Sequence, residues 1–143
     1  MSPRPRVSQV TRILIIDDEP AVAAAISKIL AREGFEVTSV RDGPAGIAAA
    51  EAAPLDVVIT DIMMPRMNGV TVIEQIRRLQ PRARIVAISG GGNFAAMGYQ
   101  SEAITTTAYL AAAQQAGADV VLTKPFDRTE LLETVRGLAG AER

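Results

Sequence analysis

The sequence predicts an α/β fold, with one five-stranded parallel sheet doubly wound by helices on both faces. Three observations carry that prediction. Four short runs, Ile13-Leu14-Ile15-Ile16, Val57-Val58-Ile59-Thr60, Ile85-Val86-Ala87-Ile88 and Val120-Val121-Leu122-Thr123, are rich in β-branched residues. Runs of that kind have the character of strands buried on both faces of a parallel sheet. Segments with helical patterning separate them, giving five β-α units. Polar residues stand at the close of the runs: Asp17-Asp18, Asp61, Ser89 and Lys124. In an open α/β sheet the carboxyl ends of the strands form the ligand crevice, so these residues are the candidate site.

Each element has a local reason. Residues 1–11 hold Pro3, Pro5, Arg4 and Arg6 and read as a flexible tail. The first strand is 12–16, and a helix over 20–33 starts with Pro20 near its first position and stops at Gly34. Residues 35–40 alternate as a second strand, and a helix over about 44–53 is capped by Asp42 and stopped by Pro54. The third strand, 56–60, leads through Pro65 and Asn68-Gly69 into a helix over 68–79, ended by Pro81. The fourth strand is 84–88. Beyond it, Gly90-Gly91-Gly92 opens a stretch that reads as loop or early helical turn to 102, then a helix over about 103–116 ending at Gly117. The fifth strand is 119–123, and Asp127 caps a last helix to about 139 with Leu131, Leu132, Val135 and Leu138 as its apolar stripe.

Composition narrows the function. The 143 residues suit one domain, 12–140, with no output domain after it. A net charge of −1 disfavours nucleic-acid or membrane-surface binding. There is no cysteine, so disulfide and thiolate chemistry are excluded, and no histidine, the usual general base and commonest metal ligand. No apolar stretch approaches a membrane span and no signal core opens the chain, so the cytoplasm is the expected compartment.

If the first and third strands are neighbours, Asp17, Asp18 and Asp61 meet. Two unit charges about 4 Å apart repel by roughly 4 kcal/mol at an effective dielectric near 20. Such a cluster persists only if a proton or a cation neutralises it. Mg²⁺ suits it, since that ion takes one or two carboxylates and keeps waters and phosphate oxygens. Taken alone, Asp17-Asp18 could simply cap the helix entering at Pro20, and Ser89 could be a turn residue. Gly90-Gly91-Gly92 is no Walker loop, because no Gly-Lys-Ser/Thr follows at the required spacing.

The run Leu55-Asp56-Val57-Val58-Ile59-Thr60-Asp61-Ile62-Met63-Met64-Pro65-Arg66-Met67-Asn68-Gly69 resembles the phosphoacceptor segment of bacterial two-component response-regulator receiver domains. Leu122-Thr123-Lys124-Pro125-Phe126 is similar to the same family's Lys-Pro motif. The resemblance covers about 12–140. It implies a flavodoxin-like (CheY-like) sandwich with the family's strand order 2-1-3-4-5. It implies that Asp61 accepts a phosphoryl group, that Ser89 and Lys124 bind it, and that the Lys124-Pro125 bond is cis. It also implies Mg²⁺ held directly by Asp18, Asp61 and the backbone carbonyl of Met63, with Asp17 acting through water. The donor would be a sensor histidine kinase or a histidine phosphotransfer protein. The output would be protein contact through the helix 4–strand 5–helix 5 face, or onward phosphotransfer. Such a chain is a stand-alone signalling phosphoacceptor, not an enzyme.

Two departures stand out. Many receivers carry an aromatic three positions before the lysine, where this chain has Val121, so switching must rest on Ser89 and movement of the loop or fourth helix. Ser89 to Lys124 is also about a dozen residues longer than the family's usual connection, with the surplus in about 91–107. The competing reading is a receiver-fold interaction module that works without phosphorylation. An aspartyl phosphatase would want a second carboxylate where Met63 stands. A flavin-binding domain would want more than 3% aromatic residues for stacking.

Overall fold

The β-branched runs form strands, and those at 13–16, 57–60 and 85–88 are buried between helical layers. The computed structural model describes residues 10–62, 68–90 and 102–140. The expectations for the tail, for Met63 and Pro65, and for 91–101 lie outside them. The strands are β1 (Arg12–Ile16), β2 (Glu36–Val40), β3 (Val57–Asp61), β4 (Arg84–Gly90) and β5 (Val120–Lys124). The helices are α1 (Pro20–Arg32), α2 (Gly43–Ala52), α3 (Gly69–Leu79), α4 (Glu102–Ala116) and α5 (Arg128–Ala139). The sheet is parallel throughout, in the order β2-β1-β3-β4-β5. The Lys124-Pro125 bond is cis.

Alternate residues of each strand feed two cores. Leu14, Ile16, Val58, Ile85 and Ala87 pack with α2, α3 and α4, through residues such as Val72, Ile76 and Ala113. Ile13, Ile15, Val57, Ile59, Val86 and Ile88 pack with α1 and α5, through Ile26, Leu30, Leu131 and Val135. No helix among the described residues is long and apolar enough to cross a membrane.

The two predicted caps, Asp42 and Asp127, are in place, and Asn68, read as the first residue of its helix, is a third cap. Asp42, Asn68 and Asp127 each accept a hydrogen bond from a main-chain N–H in the first turn of α2, α3 and α5, all at 2.8 Å. α1 ends at Arg32 with Glu33 as its cap, and Gly34 lies just beyond at φ 92°, the left-handed conformation that favours glycine. Two expectations need correction. The run 120–123 is not buried on both faces: Val120 and Val121 are half-buried and Thr123 is exposed, because β5 is a sheet edge. Ser89 does not follow β4 but lies within it, since the ladder with β5 continues through Ser89↔Thr123 and Gly90↔Lys124.

Candidate functional site

Sheet order brings the candidate residues together. β1 and β3 are central neighbours, so Asp17, one residue past β1, comes close to Asp61 at the end of β3. β4 flanks β3 on its other side and carries Ser89, while Lys124 ends β5. Asp17 and Asp61 are 1% and 2% exposed and Ser89 is fully buried. A main-chain anchor fixes the end of β3, where Ile62 N–H donates to Ile88 O at 3.1 Å. On its other flank, Gly69 at the start of α3 comes so close that a Cβ would stand 2.4 Å from Ile62 Cα.

Among the described residues, Lys124 is the cation of the site. Its Nζ lies 3.1 Å from Glu19 Oε1, 3.4 Å from Asp61 Oδ2 and 4.0 Å from Asp17 Oδ2. Burial by itself would lower the lysine pKa, but Asp61, then Glu19 and Asp17, outweigh it and hold the ammonium above its usual value of 10.5. Burial pushes the Asp17 carboxyl above its ordinary 3.8, against the opposing pull of the Glu19 N–H and Lys124. That N–H donates to Asp17 Oδ1 at 2.8 Å. Among the described residues, three buried oxygens at this end make no hydrogen bond: Asp17 Oδ2, Asp18 Oδ1 and Ser89 Oγ.

Oxygens of Asp17, Glu19 and Asp61 all lie within 4.8 Å of one another, a spacing that can hold a metal ion. Asp18 stands outside this trio. The fit to a hard divalent cation is chemical: an all-oxygen donor set with orphaned buried carboxylate oxygens and more negative charge than one ammonium offsets. Glu19 was missed by sequence reasoning. Its place after the acidic pair was the available signal, but it reads as an ordinary first-turn residue until Lys124 is known to face it.

The fold is a doubly wound parallel sandwich with an acidic site at the carboxyl end of its sheet. The chain belongs to the response regulator receiver domain family, matched over residues 13–136. It is 34% identical over 134 residues to the transcriptional regulatory protein TcrA of Mycobacterium tuberculosis, a match covering 94% of this chain and 47% of TcrA. The chain spans about half the length of the curated relatives it matches. Among solved structures, it is similar to a CheY-like receiver domain protein of Methanospirillum hungatei (27% identity, TM-score 0.78, 92% of this chain and 94% of that one). It is also similar to a response regulator of Burkholderia pseudomallei with a phosphorylated aspartic acid, calcium ion and citrate (26% identity, TM-score 0.73, 90% and 68%).

Proposed function

We propose that Asp61 accepts a phosphoryl group, as an acyl phosphate, from a sensor histidine kinase or histidine phosphotransfer protein. One observation carries this reading: a buried strand-end carboxylate with an ammonium 3.4 Å away and, on the adjoining strand, a buried hydroxyl that bonds none of the described residues. A carboxylate is a competent nucleophile for phosphorus. A loose phosphoryl transition state asks mainly for positioning and charge neutralisation. Lys124 supplies a compact positive charge and Ser89 a donor hydroxyl for phosphoryl oxygens.

In this reading Asp18, Asp61 and the Met63 carbonyl hold Mg²⁺ directly and Asp17 does so through water. Mg²⁺ held there would neutralise charge on the phosphoryl oxygens. The Asp17-Glu19-Asp61 trio supports a cation site and adds Glu19 to its rim. The relative with a phosphorylated aspartic acid and a calcium ion supports the same pairing of chemistry. The protein is a signalling phosphoacceptor, assisting at most its own transfer and hydrolysis. These 143 residues hold no histidine, so the donor lies outside them. Phosphorylation adds about −1.5 to −2 charges, and the output leaves by protein contact at the α4–β5–α5 face or by onward transfer. The cytoplasm is the proposed compartment. A stand-alone product is the proposed form; since the curated relatives are about twice as long, the mass of the native gene product decides it.

The test is incubation with a small-molecule phosphodonor, with and without Mg²⁺, followed by intact mass. A Mg²⁺-dependent gain of one phosphoryl group, absent in Asp61→Asn, is expected. No adduct together with no binding of a beryllofluoride analogue would overturn the reading in favour of an unphosphorylated interaction module.

A further inference from the structure

Glu19 opens α1, but its side chain serves Lys124 and not the helix. It is the N-cap of α1, yet it makes no side-chain cap hydrogen bond, whereas Asp42, Asn68 and Asp127 all bond the first turns of their own helices. Its carboxylate turns instead to Lys124, 3.1 Å away, the shortest of the three contacts the ammonium makes with the trio. The position is well fixed, because the Glu19 N–H is bonded to Asp17 Oδ1. The exposures differ sharply: Asp17 and Asp61 are at most 2% exposed, while the Glu19 side chain is 42% exposed. Glu19 therefore sits at the rim and the other two in the floor.

Lys124 lies where all three carboxylates can share it, and so acts as an internal cation for the trio. A divalent cation held by Asp61, with Asp17 beside it, would repel an ammonium that stayed 3.4 Å from Asp61. The ammonium can leave Asp61 without losing every ion pair only by moving toward the rim. We propose that Glu19 is a positioning residue that holds Lys124 at the rim, so that a divalent cation can take the floor carboxylates while the ammonium stays at the site. The inference rests on the cation reading above and deepens it. It makes Glu19 act through Lys124, not as a ligand of the cation.

A double-mutant cycle tests this. Mg²⁺ is titrated into the wild-type chain, Glu19→Gln, Lys124→Met and the double variant, with Kd read from backbone amide shifts and folding checked by the urea midpoint. Glu19→Gln is expected to weaken Mg²⁺ binding about fivefold when Lys124 is present, and by less than about twofold in the Lys124→Met background. A loss that persists undiminished without Lys124 would make Glu19 a ligand or a through-space charge and overturn the inference alone. Equal or tighter binding by Glu19→Gln would overturn it as well. Absence of saturable Mg²⁺ binding by the wild type would remove the cation reading, and the inference with it.

Discussion

The two ends of the sheet hold charged clusters of similar make-up and opposite condition. At the amino end of the strands, Arg77 donates to Pro81 O at 3.0 Å, Ala83 O at 2.5 Å, Gly117 O at 2.6 Å and Asp119 Oδ2 at 2.9 Å. The same Asp119 oxygen accepts from Ile85 N–H at 2.8 Å, and Arg84 stands 3.7 Å from its other oxygen. Beside this, Gln80 donates to Ala50 O and Ala53 O and accepts from Leu55 N–H, tying the end of α2 to the end of α3. At the carboxyl end, among the described residues, three carboxylates share one ammonium and buried oxygens of Asp17, Asp18 and Ser89 go unbonded. Buried polar groups left without partners are costly, so they mark a place shaped for something other than stability. One end closes its accounts internally; the other keeps an unmet demand for positive charge and donors.

Substitutions at the two ends should therefore behave differently. Arg77→Ala should have the largest effect on folding, about 3 kcal/mol by urea denaturation, because it removes an ion pair and the hydrogen bonds to three carbonyls from a partly buried cluster. Phosphoryl uptake by the folded fraction should be unchanged, and a loss there would erase the contrast. Gly69→Ala should cost about 2 kcal/mol, since its Cβ would press on Ile62 main chain. Unlike Arg77→Ala it should also slow phosphoryl uptake, because Ile62 adjoins Asp61.

Asp17→Asn should have a smaller effect of the opposite sign. Burial raises the native Asp17 pKa above 3.8, so the charged form is strained in the native state at neutral pH. The variant should be more stable than the wild type without cation, and should bind Mg²⁺ less well. The sign follows from linkage: the advantage is full above the native Asp17 pKa, shrinks as pH falls through it, and vanishes below 3.8. A urea-midpoint difference that does not shrink on acidification would contradict this. Glu33→Gln should matter least, below about 1 kcal/mol, since its partners Arg128 and Arg136 are exposed.

How far the sequence could be read follows the same division. Strands and helices were legible because β-branched runs and cap residues act locally, as at Asp42 and Asp127. Asp17, Asp61, Ser89 and Lys124 could be placed at one end because each stands where an apolar run closes. The edge position of β5 was not legible, since Val120-Val121-Leu122 has the composition of a central strand. Arg77 and Asp119 lie 42 residues apart, and nothing local distinguishes either from a solvated charge. Glu19 was hidden for the same reason: its partner Lys124 is 105 residues away.

The Arg77 clamp has a mechanical side. It grips Gly117 O and Asp119, immediately after the last turn of α4, and fastens that end of the helix to α3 and β4. α4 runs 15 residues from there, about 22 Å at 1.5 Å per residue. Were α4 to tilt by about 5° about that anchor, Glu102 would travel about 2 Å while Gly117 barely moved.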